Sequence, residues 1–173
     1  MKKVALLVTT LFLSSCSTMS TEECKTVNWK DKGFEDATKG NPIHLSKHRK
    51  ACAEAHVTPN RPLYMAGYNA GARQFCNYES GIRFGKTGRS TSNICNGPGQ
   101  RQKFIRGYQK GKQIYDLNIQ ISSKESELYS LDKKIKKARK KSNATEVDHL
   151  YREKELINSL ISSLRREIIR IEQ

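Results

Sequence analysis

Residues 114–173 read IYDLNIQISSKESELYSLDKKIKKARKKSNATEVDHLYREKELINSLISSLRREIIRIEQ, with no Gly, Pro, Cys, Trp or Phe among them. Leu, Ile, Lys, Arg, Glu and Ser dominate, a composition that favours helix. Ile114, Leu117, Ile121, Lys124, Leu128, Leu131, Ile135 and Ala138 recur at alternating steps of three and four, and so do Val147, Leu150, Lys154, Ile157, Ile161, Leu164, Ile168 and Ile171. Such steps keep one stripe of a helix turned toward a partner. Lys140-Lys141-Ser142-Asn143-Ala144 separates the two seams, and Asn143 followed by Glu146 has the form of an N-cap and its box. Reversing the chain there pairs positions whose numbers add up to 285, so that every layer of one seam meets a layer of the other. The expectation is an antiparallel helical hairpin, a coiled coil over residues 112–173, about 36 Å long from Ile114 to Ala138. Pairing of one longer helix between two chains is the alternative use of the same seams.

The turn of this hairpin carries Lys133, Lys134, Lys136, Lys137, Arg139, Lys140 and Lys141, seven basic residues in nine with no acid among them. Like charges at helical spacing are mildly destabilising, so the cluster contributes nothing to the helix itself. Contact with an anionic surface, worth ~1 kcal/mol per basic residue near charged lipid, is the functional reading. A merely solvated lysine face is the alternative. The whole chain, 173 residues long, has 32 Lys and Arg against 17 Asp and Glu, a net charge of +15. In a cytosolic chain such a balance would point to nucleic acid.

The other end of the sequence argues against that address. Met1-Lys2-Lys3 is a short basic start, and Val4 to Leu13 is an apolar run of ten residues, too short to span a bilayer, which needs about 20. Leu13-Ser14-Ser15-Cys16 then resembles the lipobox of bacterial lipoproteins, which implies cleavage of residues 1–15 and acylation of Cys16. Several acyl chains anchor stably where one does not. Ser17 in place of Asp fits sorting to the outer membrane. An ordinary cleaved signal with a leftover cysteine is the competing reading. Residues 16–23 read as an anchor linker, and loss of Lys2 and Lys3 still leaves +13.

Four further cysteines, Cys24, Cys52, Cys76 and Cys95, form an even set in an exported chain and are expected to make two disulfides. Of three possible connectivities, loop closure favours the short spans Cys24 with Cys52 and Cys76 with Cys95. A zinc site is the weaker alternative. His48-x3-Cys52-x3-His56 would share a helical face, but the chain has neither a C-x2-C pair nor the spacing of closed zinc sites. Between Trp29 and Gly111 a pattern recurs: Trp29-x3-Gly33-Phe34-x2-Ala37, Tyr64-x2-Gly67-Tyr68-x2-Gly71 and Phe104-x2-Gly107-Tyr108-x2-Gly111. Small residues four apart share a helical face and let another backbone come close, while the aromatics fill the space around the contact. A row of aromatics for stacking on a sugar or base is the functional alternative.

The set Cys24, Trp29, Gly33, His48, Cys52, Tyr64-x2-Gly67, Cys76, Gly81-x3-Gly85-x2-Gly88, Cys95 and Tyr108-x2-Gly111 resembles the bacterial lipoproteins grouped as domain of unknown function 2799, over residues 24 to 111. The resemblance implies a small envelope domain and no particular activity.

No catalytic signature accompanies it. Gly81-Ile82-Arg83-Phe84-Gly85-Lys86-Thr87 has three residues between its glycines where a phosphate loop needs four, and it reads as a flexible glycine loop before Cys95. Glu35, Asp36, Glu54 and Glu79 show no spacing that selects a carboxylate pair. His44, His48 and His56 stand among Lys and Arg with no nucleophile beside them and read as solvated surface histidines. The sequence therefore describes a mainly α protein with a disulfide-stapled, glycine-rich helical body over residues 24–111 and a basic coiled-coil arm. No cofactor and no metal are expected. The expected location is the outer membrane, lipid-anchored and facing the periplasm. The expected role is structural or interactive, with lipopolysaccharide, anionic lipid, peptidoglycan or an envelope protein as partner. A cell-wall binding module or hydrolase using Tyr64, Tyr68, Phe104 and Tyr108 with Glu54 or Glu79 is the rival.

Overall fold

The computed structural model describes residues 19–91, 94–97 and 99–173. Cys16 and residues 1–15, read from the sequence as a signal, lie outside them. The described residues form seven α-helices and no strand. None of the helices is long and apolar enough to cross a membrane.

Capping side chains set most of the helix starts. Ser20 and Glu23 make a reciprocal capping box for α1 (Thr21–Thr26). Asn28, Asn60 and Asn77 each accept backbone N–H groups at the starts of α2 (Trp29–Thr38), α4 (Arg61–Phe75) and α5 (Tyr78–Gly85). Between α2 and α4 lies the short α3 (Leu45–Ala51). Met19, within the residues 16–23 that read from the sequence as a linker, is buried against the body core.

The body is built from two close helix crossings. A Cβ placed on Gly67 of α4 would fall 1.7 Å from the carbonyl oxygen of Lys30 in α2, and one on Gly33 would fall 2.0 Å from that of Tyr64. In the second crossing, a Cβ on Gly107 would fall 2.0 Å from the carbonyl oxygen of Tyr78, and one on Gly81 2.2 Å from that of Phe104. Gly81 and Gly85 therefore belong to a packed helix. This corrects the sequence reading of Gly81 to Thr87 as a flexible loop: backbone contact, not turn formation, is what requires these glycines.

The two crossings are tandem copies of one unit. Gly33 and Ala37 of α2 correspond to Gly81 and Gly85 of α5, each 48 residues further on. Gly67 and Gly71 of α4 correspond likewise to Gly107 and Gly111, each 40 residues on. Gly40 (φ 70°) and Gly88 (φ 71°) take the same left-handed conformation just past the first helix of each unit, where a side chain would be strained. The Tyr68 hydroxyl donates to the Asn41 carbonyl at 2.9 Å, and the Tyr108 hydroxyl to the Arg89 carbonyl at 3.1 Å, so each unit ties the same point of its connection. Each unit is also closed by one disulfide, Cys24 to Cys52 and Cys76 to Cys95, both with Cα atoms 5.5 Å apart. The rings of Phe75, Phe84 and Phe104 join the two units in one core.

The second helix of the second unit does not stop with the body. α6 (Gln100–Lys140) runs unbroken for 41 residues, about 60 Å, so the body's last helix is also the arm's first. α7 (Ala144–Glu172) returns along it after a turn in which Ser142 takes φ 55° and Asn143 caps the Glu146 N–H. Leu117, Ile121, Ile161 and Leu164 form one buried cluster, and Leu131, Ile135, Ala138 and Leu150 another. Lys154 with Asp132 at 2.6 Å and Arg165 with Glu125 at 2.9 Å cross between the helices. Lys86 with Glu172 at 2.6 Å returns the end of α7 to the body. The hairpin is thus closed within one chain.

Lys124 and Lys154 occupy seam positions between these clusters and turn their ammonium groups out to Glu127 and Asp132. Their stems pack while their charges stay wet, which lowers stability and restricts register. Replacing both with Leu is expected to raise the thermal midpoint by about 4 °C, using ~2 to 4 °C per kcal/mol for a chain of this size. Sedimentation should at the same time detect new oligomers. A lowered midpoint would show that these layers are not strained.

Candidate functional site

Burial of Leu131, Ile135 and Ala138 on one face of α6 places the remaining positions of that segment in solvent. Lys133, Lys134, Lys136, Lys137, Arg139, Lys140 and Lys141 are all exposed. Among the described residues none of the seven makes an ion pair. Lys133 lies over the Tyr129 ring at 4.2 Å, and Arg139 reaches the Tyr151 hydroxyl. The rest of the arm is the opposite case. Outside the tip, residues 114–173 hold six Lys and Arg against ten Asp and Glu. Lys124, Arg152, Lys154 and Arg165 each meet an acid there. An acidic shank therefore ends in an unneutralised cationic tip. The body is basic too, with seventeen Lys and Arg against five acids over residues 24–113.

A second cluster sits in the first unit, where α2, α3 and α4 meet. His48 is 1% exposed and Asp36 5%. His48 Nε2 lies 2.7 Å from Asp36 Oδ2, and the Tyr64 hydroxyl donates to the same oxygen at 2.7 Å. The backbone N–H of His44 donates to the Tyr64 oxygen at 3.1 Å, and His44 Nδ1 lies 3.8 Å from Asp36 Oδ1. Burial acts to raise the Asp36 pKa, but hydrogen bonds from His48 and Tyr64 outweigh it and hold the carboxyl below its ordinary value. The cluster's contribution to stability is therefore present above the usual carboxylate range and lost as the pH falls through the folded-state value. Burial raises the Tyr64 hydroxyl well above its usual pKa, and it pushes Tyr68 up to about 12. Burial lowers His44, against the pull of Asp36.

These positions correct the reading of the histidines as solvated. His48 of α3 is buried and His44, the residue just before that helix, is partly buried, while Lys47, Arg49 and Lys50 of the same segment are exposed. His56 is exposed, at φ 55° beyond the helix, and does not join them. The zinc alternative on His48, Cys52 and His56 fails, because Cys52 is in a disulfide and His56 is exposed while His48 is buried. Asp36 was visible in the sequence only as one unpaired acid; its partners come from α3 and α4.

Tyr64, Tyr68 and Phe104 are buried core residues and Tyr108 is half-buried, whereas Glu54 and Glu79 are exposed. A groove of about 710 Å³ runs along α4 past Ile43, Met65, Tyr68, Arg73, Ile94 and Gln100, with no acid among its described lining residues.

Residues 28–113 match the family described as Protein of unknown function (DUF2799), and the body of this chain belongs to that family. The match spans both helix units and ends within α6, before the arm leaves the body. Comparison with curated proteins and with solved structures gives no match.

Proposed function

We propose that this is an envelope lipoprotein of the outer membrane, anchored through acylated Cys16, whose arm makes contact through its basic tip with an anionic component of the envelope. The observation that carries this reading is the charge division of the arm: seven exposed basic residues without acidic partners at the turn, on a shank with an excess of acids. An anionic surface attracts the tip and repels the shank, which favours contact by the end of the arm rather than along its side. A lysine cluster serving solubility alone would not need this division. The anchor half of the proposal places the body close to the bilayer. Three residue steps separate Cys16 from buried Met19, about 10 Å of extended chain. Lipopolysaccharide phosphates, anionic lipid headgroups and peptidoglycan carboxylates are the candidate ligands.

The test is cross-linking in intact envelopes. A photoreactive side chain at Lys137 should capture an envelope component, while one at Glu153, on the shank, should capture none. In the same cells Cys16→Ala should lose acyl labelling and leave the membrane fraction. Equal capture from both positions would overturn the arm's role, and unchanged labelling of Cys16→Ala would overturn the anchor.

A further inference from the structure

The tandem units allow a comparison inside one molecule. At the position equivalent to Asp36 the second unit has Phe84, 48 residues on, and at the position equivalent to Tyr64 it has Phe104, 40 residues on. Phe84 and Phe104 pack ring to ring at 6.0 Å and are both buried. The same crossing is therefore built once around an apolar pair and once around a carboxylate and a phenol. A buried carboxylate costs several kcal/mol of desolvation that a phenylalanine does not, so the crossing itself gives no reason to place one there.

The first unit's polar group is also short of partners. Among the described residues His48 Nδ1 is buried without a hydrogen-bond partner. The rings of Trp29, His44 and Tyr64 surround the imidazole at centroid distances of 6.2, 6.2 and 5.8 Å. Its side-chain hydrogen bond among the described residues is the one from Nε2 to Asp36. Ligand atoms of Asp36, His44 and His48 all lie within 4.8 Å of one another. Tetrahedral zinc with bonds of 2.0 to 2.1 Å holds its ligand atoms ~3.3 Å apart. The separations of 2.7 Å from His48 Nε2 to Asp36 Oδ2 and 3.8 Å from His44 Nδ1 to Asp36 Oδ1 lie on either side of that value.

We propose that Asp36, His44 and His48 form a binding site for a divalent transition-metal ion, zinc being an ion that two imidazoles and a carboxylate hold in known sites. The ion enters between His48 Nε2, His44 Nδ1 and the Asp36 carboxylate, and the His48 proton moves from Nε2 to Nδ1, which leaves the ring neutral and frees the Nε2 lone pair for the ion. Tyr64 keeps its hydrogen bond to Asp36 and orients the ligating carboxylate, as groups behind metal ligands generally do. His44, only partly buried, is the side of access, and the fourth position is left to water or to a ligand of the ion. The site is independent of the arm and of the anchor.

The experiment uses the chain from residue 17 onward with both disulfides intact, titrated with zinc by calorimetry and with cobalt(II) by visible absorption. The expected result is one ion per chain with micromolar or tighter affinity and the strong visible bands of four-coordinate cobalt. His44→Gln, which alters a partly exposed side chain, should weaken binding at least tenfold and abolish the bands with the helix content unchanged. His56→Gln should leave both unaltered. Absence of stoichiometric binding to the folded chain would overturn the proposal, as would equal affinity in wild type and His44→Gln.

Discussion

Gly67→Ala is expected to destabilise the body by about 3 kcal/mol or more, despite the ~1 kcal/mol by which Ala is the better helix former. The added methyl would sit 1.7 Å from the Lys30 carbonyl oxygen, a backbone atom that cannot rotate away, so α2 and α4 must separate along the whole crossing. The separation would also disturb the Tyr64 and Tyr68 contacts that α4 carries. Gly107→Ala meets the Tyr78 carbonyl in the same way and should cost a similar amount in the second unit. Gly97→Ala is the control: its methyl would meet only the flexible end of Gln100 and should change stability by less than about 0.5 kcal/mol. Denaturant unfolding of the three variants checks the crossings. If Gly67→Ala behaves like Gly97→Ala, the close backbone approach is wrong.

Loss of either disulfide is the second large effect. The bridges span 28 and 19 residues, which in the chain-entropy account stabilise by about 3.6 and about 3.2 kcal/mol. Cys24 and Cys52 are both buried, so a Cys24→Ala, Cys52→Ala chain also loses packing in the core. That chain should unfold at markedly lower denaturant than wild type. A Cys76→Ala, Cys95→Ala chain should show a drop of comparable size, since each bridge closes one copy of the same unit. Thermal midpoints within 2 °C of wild type for both double variants would mean that the helix crossings alone hold the body.

The helical class and the hairpin were legible because their signals are local. The seams of residues 114–171 need no knowledge of distant residues, and neither does the cap at Asn143. Three of the four close-packing helices were legible for the same reason. The fourth, α5, was hidden because Ile82 stands where the other copies have an aromatic, and because Gly81 and Gly85 look like loop residues until the backbone of α6 is laid against them. The repeat of 48 residues was nonetheless written in the spacing of Gly33, Ala37 and Gly40 against Gly81, Gly85 and Gly88. The buried cluster was the least legible part. His48 lies in a short helix crowded with Lys47, Arg49 and Lys50, and His44 stands just before it, so composition suggests a solvated segment. Their burial depends on Asp36 and Tyr64, which lie 12 residues before and 16 after His48 and are brought to it by the α2 to α4 crossing.

The charge of the body offers the arm a competitor for any anionic ligand, and separating the two is the most direct test of the proposed role. The lipid-free chain from residue 17 onward should be cosedimented with purified peptidoglycan sacculi and with anionic vesicles, beside one variant with all seven tip residues changed to Gln and another with Lys47, Arg49, Lys50 and Arg61 changed to Gln. Exposed charges are screened over ~10 Å at 0.1 M salt, so the comparison belongs at low ionic strength. At ~1 kcal/mol per basic residue engaged, loss of even two contacts at the tip lowers affinity about thirtyfold. The tip variant should therefore lose most of its binding to at least one of the two surfaces, with helix content unchanged, while the body variant keeps it. Full retention of binding by the tip variant, with loss in the body variant, would contradict the account.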